Sequence, residues 1–233
     1  MGESSGLNGP YRDALPQLPI FAGLADRDRD RIVAMARRRV VPAGSSITLS
    51  ADGAPCVYVV RRGYLKTIQD NEDGDEVTLA IHGPGDLLGN IGVAAQDHHL
   101  RAENALAIVE SELIVLRRDA LLATLPAMPA LSLNLLALYA DRLQRAGDRI
   151  ESLATADVEQ RLIRLLHDLA RAHGEPAPGG RRLPYRITQV ELASMVGASR
   201  VRVNQMLGEL KRSGIVVVAD GRMIVRHPHC PAG

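Results

Sequence analysis

The stretch from residue 199 to residue 213 predicts a helix, because Val203, Met206, Leu207 and Leu210 recur in it at helical spacing. The opposite face of this helix would carry guanidinium and amide groups, from Arg200, Arg202, Asn204 and Gln205. Arg, Asn and Gln can each make paired hydrogen bonds to base edges, and an α-helix fits the major groove of duplex DNA. The alternative is a charged helix of a small bundle that only faces solvent.

Two helix-start signals surround the turn that precedes these side chains. Thr188 and Glu191 have the spacing of a capping box, which opens a short helix that ends near Gly197. Ser199 is suited to cap the next helix. Because hydroxyl groups and helix N-termini bind anions, we expect Thr188 and Ser199 to contact DNA phosphates, together with Arg202.

A hairpin is predicted after the second helix, which we expect to run to about Ser213. It pairs Ile215–Ala219 with Met223–Arg226 around Asp220-Gly221, a dipeptide that favours tight β-turns. The order helix, turn, helix and hairpin predicts a winged helix-turn-helix domain.

The distribution of charge supports a polyanionic partner. The 233 residues carry 28 Lys and Arg against 27 Asp and Glu, a net charge of +1. Residues 157–233, however, carry 12 basic and seven acidic side chains, a net of +5, which leaves −4 on the remainder. Single-strand binders usually stack bases on aromatic rings, and the chain has one Phe, five Tyr and no Trp. Duplex DNA is therefore the predicted partner.

The composition argues against several other classes of protein. Apolar residues make up 46% and charged residues 24% of the chain, which is globular composition. No apolar run approaches the roughly 20 residues of a membrane span, and the first ten residues lack a signal-peptide pattern, so a cytoplasmic protein without a membrane partner is expected. No nucleophile–base pair or phosphate-binding loop indicates an enzyme.

His227, His229 and Cys230 are expected to form a frayed tail, with metal binding as the alternative.

Short strands are predicted from residue 39 to residue 117. Apolar runs alternate there with turn signals, a pattern typical of an antiparallel sandwich or barrel. A short helix over Ala25–Arg38 precedes them, and residues 1–18, rich in Gly, Ser and Pro, are expected to be a flexible arm. The predicted strands are Ser46–Ser50, Val57–Arg62, Tyr64–Asp70, Glu76–His82, Leu100–Ala105 and Glu112–Arg117.

One long helix is predicted over Met128–Ala154. It contains apolar residues at intervals of seven, each followed by another three residues later, which is the a/d seam of a coiled coil. A helix of about 40 Å needs apolar cover along its length, so we expect a homodimer through this seam; packing on its own barrel is the alternative. The seam residues are Leu136, Tyr139, Leu143, Ala146, Ile150 and Leu153.

This order of elements resembles the cAMP receptor protein (catabolite activator) and FNR family of bacterial transcription regulators. The resemblance spans about residues 18–227 and is carried by Val59–Lys66, Pro84–Asn90 and Ile187–Arg200. It implies an α+β fold with an N-terminal β jelly roll of cyclic-nucleotide-binding type, a long dimerisation helix and a C-terminal winged helix-turn-helix. The boundaries would be 1–18 for the arm, 19–126 for the sensor domain, 127–155 for the dimerisation helix and 156–233 for the DNA-binding domain.

The resemblance implies a dimeric, sequence-specific regulator, an activator that contacts RNA polymerase and reads a pseudo-palindromic operator through the helix Ser199–Ser213. In the family's catabolite activator, an Arg-Glu pair opens this helix and a second Arg follows one turn later. Here Arg200, Val201 and Gln205 take those positions. We expect Arg200 to read guanine, Val201 to contact a thymine methyl group and Gln205 to read adenine, and Asn204 is a further base-reading residue. The half-site should therefore differ from that of the family's catabolite activator.

The effector pocket departs from the family pattern. Members that bind cyclic AMP hold the ribose with a Gly-Glu pair and the cyclic phosphate with Arg-Ser or Arg-Thr. Here these pairs are Gly89-Asn90 and Arg101-Ala102, and Ala146 stands where the long helix meets the adenine. Arg101 can pair with a phosphate or form an ordinary salt bridge, whereas Asn90 is neutral and Ala102 lacks a hydroxyl. These replacements disfavour a cyclic nucleotide as the effector and favour a protein that is active without an effector.

The alternative function is a signalling subunit that binds a cyclic nucleotide and acts through a protein partner without DNA. Salt distinguishes the two functions. DNA binding through several arginines weakens steeply as salt rises, whereas binding in a nucleotide pocket responds little.

Overall fold

The computed structural model describes residues 9–48, 55–70, 76–89 and 104–226 of the chain. They divide into two compact units. The first contains the described residues up to Glu76 and from Ala80 to Arg145. The second contains Val77–Leu79 and the described residues from Ala146 onward.

The N-terminal half contains two four-stranded sheets, which confirm the predicted sandwich. The strand pairs whose register the structure describes are antiparallel; in the pair β3–β8, for example, Val59 lies opposite Ile114. The strands are β1 (Arg37–Val41), β2 (Ser46–Thr48), β3 (Cys56–Arg62), β4 (Leu65–Asp70), β5 (Glu76–His82), β6 (Leu87–Leu88), β7 (Asn104–Ala107) and β8 (Ser111–Arg117). The strand orders are β1-β8-β3-β6 and β2-β7-β4-β5.

Strand β3 is apolar on both faces because each face meets a different part of the core. Its side chains alternate, so Val57 and Val59 join one apolar cluster while Tyr58 and Val60 join another. The second cluster contains residues of both sheets, such as Ile47 and Leu113 of the facing strands. The first covers the outer face of the β1-β8-β3-β6 sheet with helical residues, including Phe21, Ile32, Leu121 and Leu131.

The prediction of a flexible arm over residues 1–18 is wrong for residues 9–18. Helix α1 (Gly9–Ala14) and a 3-10 turn (Leu15–Gln17) form there. Leu15 is fully buried and Leu18 nearly so, because both pack into the helical cluster of the first unit. The Gly- and Pro-rich composition leads us to expect that the entropy cost of ordering this segment keeps it flexible. Burial of these two apolar side chains offsets that cost.

The predicted helix Ala25–Arg38 is shorter in the structure, and a strand replaces its end. Helix α2 covers Asp26–Met35, and β1 begins at Arg37. This edge strand pairs with β8, and the Arg38 Nε atom donates to Glu112 Oε1 at 3.1 Å. Sequence reasoning missed it because three consecutive arginines break the apolar pattern of a strand, although charge is common on sheet edges.

The predicted long helix is confirmed as α4 (Pro129–Thr155), after α3 (Arg118–Thr124). Leu131 and Leu135 of α4 are buried in the first unit. Among the described residues, no single helix is long and apolar enough to cross a bilayer. Residues 118–127 and α4 together have the length and apolar composition of a membrane span, but the chain bends by 118° between them.

The second unit has the predicted winged helix-turn-helix, with one correction. The expected loop Gly174–Gly180 contains most of a small hairpin, whose second strand pairs with the wing. The elements are α5 (Val158–His173), β9 (Glu175–Ala177), β10 (Gly180–Arg182), α6 (Gln189–Val196), α7 (Arg200–Arg212), β11 (Val216–Ala219) and β12 (Arg222–Arg226), with sheet order β11-β12-β10-β9.

Candidate nucleic-acid interface

Helix α6 starts at the predicted capping box. The Thr188 side-chain oxygen accepts a hydrogen bond from the backbone N–H of Glu191 at 3.2 Å. The Glu191 carboxylate in turn accepts from the backbone N–H of Thr188 at 2.7 Å. Two N–H groups that the helix leaves without partners are thereby satisfied, which fixes where α6 begins.

The turn between α6 and α7 depends on Gly197. Its φ and ψ of 64° and 51° lie in the left-handed region, in agreement with the sharp turn that the sequence predicts at this glycine. A Cβ atom at this position would lie 3.3 Å from Cδ2 of Leu153 in α4. Glycine is therefore favoured twice, by the backbone conformation and by the close approach of Leu153.

Helix α7 has one buried apolar face and one exposed, largely polar face, as the sequence predicts. Ser199 caps it, and the Ser199 Oγ atom accepts from the backbone N–H of Arg202 at 3.2 Å. Val201 is 69% exposed. The buried face consists of Val203, Met206, Leu207 and Leu210, and the exposed face presents Arg200, Val201, Arg202, Asn204 and Gln205.

The electrostatic setting of α7 favours an anion at its start. No acidic residue lies in its first turn. Within the described part of the chain, no carboxylate comes within salt-bridge distance of Arg200 or Arg202, and the pairing of Arg212 with Glu209 lies at the far end of the helix. The positive end of the helix dipole and two uncompensated guanidinium groups therefore share one surface.

Sequence reasoning missed Gln189, the first residue of α6. Its Nε2 atom donates to Oδ1 of Asn204 at 2.7 Å, so the bond joins α6 to the exposed face of α7. The sequence signal was the position directly after the Thr188 cap, which places Gln189 at the start of α6. The partner was not predictable because the two residues are 15 positions apart.

Two arginines that sequence reasoning also missed hold the C-terminal end of α6. Arg161 donates to the carbonyl oxygens of Val196 at 2.9 Å, Ala156 at 3.0 Å and Gly197 at 3.4 Å. Arg149 of α4 donates to the carbonyl oxygen of Met195 at 2.9 Å. Partial burial lowers the pKa of Arg149. These contacts fix the turn, and with it the start of α7, against the last turns of α4 and the first of α5.

The wing closes as predicted at Asp220-Gly221, where φ is 53° and 74°. The Arg186 guanidinium lies over this turn, because a Cβ atom on Gly221 would come within 2.8 Å of Arg186 Nε. The wing tip thus has an exposed guanidinium from the segment that precedes α6.

The predicted seam forms an apolar stripe on α4. Leu143 is 76% exposed and Ile150 69% exposed in the single chain. Leu136, Tyr139, Ala146 and Leu153 are exposed as well. Among these, Tyr139 has the guanidinium of Arg142 over its ring, 5.7 Å from the centroid.

Little of the predicted effector pocket lies in the described part of the chain. Gly89 has a φ of 92°, and a Cβ atom there would lie 2.7 Å from the carbonyl oxygen of Cys56, so glycine is required where the chain leaves β6 beside β3. Ala146 is exposed on α4. Asn90, Arg101 and Ala102 lie outside the described residues, so their role in a pocket stays a prediction.

The tail residues His227, His229 and Cys230 also lie outside the described residues. Elsewhere, over the ranges that the structure describes, no group of three His, Cys, Asp or Glu side chains is placed to hold a metal ion.

Comparison with known proteins agrees with the fold and the interface. The cyclic nucleotide-binding domain family matches residues 38–126, and the Crp-like helix-turn-helix domain family matches residues 160–229. The cyclic AMP receptor protein of Thermus thermophilus is 31% identical, over 89% of this chain and 92% of that protein. The CRP-like cAMP-activated global transcriptional regulator of Mycobacterium tuberculosis is 30% identical, over 79% and 85%.

A solved structure has the same fold. It is that of the c-di-GMP responsive global regulator CLP from Xanthomonas campestris, with a TM-score of 0.68 and 24% identity, over 85% of this chain and 97% of that one. The two domain matches, the two relatives and the exposed polar face of α7 agree with one another. The chain therefore belongs to the CRP/FNR family and is a DNA-binding transcription regulator of that type.

Proposed function

We propose that the chain acts as a homodimer that reads a pseudo-palindromic operator through the helix Ser199–Ser213. The observation that carries this proposal is the division of α7, which buries four apolar side chains and exposes guanidinium and amide groups on the other side. Helices of this kind present base-reading groups to the major groove, and a dimer brings two of them to successive grooves roughly 34 Å apart.

Base reading is assigned to the exposed face of α7. Arg200 reads guanine through N7 and O6, Val201 contacts a thymine methyl group, and Asn204 and Gln205 pair with adenine. The freedom of the Arg200 guanidinium from any described carboxylate supports its role, since a guanidinium in a salt bridge would first have to leave its partner.

Phosphate contacts are assigned to Thr188, Ser199 and Arg202. The two hydroxyl oxygens already accept backbone hydrogen bonds inside the protein, so each keeps its own O–H proton to donate to a phosphate oxygen. Ser199 is the better placed of the two. The Glu191 carboxylate stands at the start of α6, whereas the first turn of α7 carries no acidic side chain.

The proposed dimer interface is the seam Leu136, Tyr139, Leu143, Ala146, Ile150 and Leu153. Isolated exposed apolar residues are normal, but a stripe of them at heptad spacing is typical of a helix pair. By family resemblance, we further propose that the protein works in the cytoplasm and activates transcription through contact with RNA polymerase. The proposal includes no catalytic step.

For the effector, we propose that the protein binds its operator without one and that its abundance controls its activity. The basis is Asn90 and Ala102, which replace a carboxylate and a hydroxyl of the nucleotide-binding pattern. Cyclic AMP is the second candidate, because the Thermus and Mycobacterium relatives are named for it. A cyclic nucleotide would then act by favouring one arrangement of the DNA-binding domains.

Binding-site selection from random duplexes, with full-length protein and no nucleotide, tests the proposal. We expect an inverted repeat whose half-site differs from the catabolite-activator consensus, and affinity that falls steeply with salt. Recovery of the unmodified consensus would refute the altered specificity, and recovery of no sequence would refute operator reading without effector. Parallel selections with cyclic AMP, cyclic GMP and cyclic di-GMP identify a required nucleotide. A nucleotide-binding protein without affinity for duplex DNA would instead support the signalling-subunit alternative, which no observation here favours.

A further inference from the structure

An amide–amide hydrogen bond crosses from the first helix of the DNA-binding domain to the second. Gln189 Nε2 donates to Asn204 Oδ1 at 2.7 Å; the Asn204 side chain is exposed and that of Gln189 is half-buried. By contrast, no hydrogen bond fixes the amide of Gln205 within the described residues. Two neighbouring amides on one helix therefore differ in how they are held.

This bond couples the Asn204 amide to the Gln189 amide, so Asn204 can turn over only if Gln189 turns over with it; in the observed arrangement Gln189 donates and the Asn204 oxygen accepts. The last side-chain torsion of Asn is broad and nearly two-fold, so its oxygen and nitrogen exchange places at little energetic cost when nothing holds them. With Gln189 donating, the oxygen of Asn204 is directed towards α6. One acceptor site on that oxygen and both N–H groups of the amide remain for a ligand.

The orientation of an amide decides which base it can read. Pairing with adenine requires the amide N–H on N7 and the amide oxygen on the N6 amino group. The flipped amide would place two acceptors together at N7 and two donors together at N6. An amide fixed in one orientation therefore discriminates between bases more sharply than one that can turn over.

We propose that Gln189 is a positioning residue that fixes the Asn204 amide so that Asn204 reads adenine at one base pair of the half-site. This inference depends on the proposed function, because it assumes that α7 reads bases. Gln189 itself need not contact a base, and its contribution is to specificity at the position that Asn204 reads.

The test compares base preferences of full-length variants. Gln189→Met removes the hydrogen bond at nearly unchanged volume, and Val190→Ala is the control at the next exposed position of α6. Binding is measured on the selected duplex and on every single-base-pair substitution of it, for wild type, Gln189→Met, Val190→Ala, Asn204→Ala, Gln205→Ala and the two double variants that combine Gln189→Met with Asn204→Ala or Gln205→Ala. Circular dichroism melting shows that each variant is folded.

We expect Gln189→Met to lower discrimination about fivefold at the base pair that Asn204→Ala also affects, and nowhere else. The effects of Gln189→Met and Asn204→Ala should be non-additive, whereas those of Gln189→Met and Gln205→Ala should add. Equal weakening on all duplexes would overturn the inference, since it would indicate a phosphate or structural role. So would an Asn204→Ala variant with an unchanged base profile. Wild type is measured first, with and without the cyclic nucleotides, and if it selects no sequence under any of these conditions, the proposed function itself fails.

Discussion

The side chain of Arg161, in the first turn of α5, donates a hydrogen bond from Nε to the carbonyl oxygen of Val196 at the end of α6. The same guanidinium also reaches the carbonyl oxygens of Ala156 and Gly197. Arg161 therefore satisfies the carbonyl groups of Val196 and Gly197 at the C-terminal end of α6, where a helix leaves its last carbonyl groups without backbone partners, while Arg149 satisfies that of Met195.

Replacing Arg161 should destabilise the DNA-binding unit. The bonds to Val196 and Ala156 are partly buried, so Arg161→Ala leaves partly buried acceptors without this partner, at a cost of about 1–3 kcal/mol in the free energy of unfolding. Arg171→Ala on the same helix is the control. Its salt bridge with Asp168 is exposed, so a change below about 0.5 kcal/mol is expected. Urea unfolding followed by circular dichroism measures both, and equal effects of the two substitutions would contradict the role of Arg161.

Two glycines of the helix-turn-helix should respond to alanine in opposite directions. Gly197→Ala forces a left-handed alanine towards Leu153 and should destabilise by about 1–2 kcal/mol or more. Gly208 lies inside α7, and a Cβ atom there meets no atom within 4 Å, so Gly208→Ala should stabilise by about 0.5–1 kcal/mol. Thermal melting of the two variants should move the midpoint down and up, respectively. A rise for Gly197→Ala would mean that the turn does not have the described conformation.

The cap of α7 allows stability and DNA binding to be separated. Ser199→Ala loses the hydrogen bond to the Arg202 N–H and should cost about 1 kcal/mol of stability. Ser199→Asp keeps an acceptor and the cap, but puts a carboxylate where a phosphate is proposed to bind. We therefore expect near wild-type melting for Ser199→Asp together with strongly weakened binding to duplex DNA. Unweakened binding would remove Ser199 from the phosphate contacts.

The proposed dimer depends on the apolar stripe of α4. Leu143→Glu would place a carboxylate from each chain into the seam, where burial of an unpaired charge is costly, so we expect a monomer with much weaker operator binding. Gln144→Glu, one position along the helix and outside the seam, should leave the dimer intact. Sedimentation equilibrium distinguishes the two states. A dimeric Leu143→Glu protein would show that the chains associate elsewhere.

Features encoded by neighbouring residues could be predicted from the sequence. The Thr188–Glu191 capping box, the Ser199 cap and the Asp220-Gly221 turn each depend on side chains within three positions of each other, and all three form as expected. The apolar spacing in α7 likewise predicts its buried face, because helical periodicity alone determines which side chains point together.

Features that depend on tertiary contacts could not be predicted in the same way. Leu15 is buried although its surroundings resemble a flexible arm, and Arg37–Val41 forms a strand only because β8 lies beside it. The Gln189–Asn204 and Arg161–Val196 bonds join residues 15 and 35 positions apart. Their formation requires the packed orientation of α5, α6 and α7, which no local pattern encodes.

Arg200 lies at the start of the exposed face of α7, which is proposed to read base pairs, so its substitution should change base preference as well as affinity. The measurement is competition binding of wild type, Arg200→Ala and Arg212→Ala to the selected duplex and its single-base-pair variants. For Arg200→Ala we expect a loss of about 1–3 kcal/mol in binding free energy on the selected duplex and relaxed preference at one guanine position. Arg212→Ala, at the far end of the helix, should keep the full base profile. An Arg200→Ala protein with the wild-type affinity and the wild-type preference at every position would show that Arg200 reads no base.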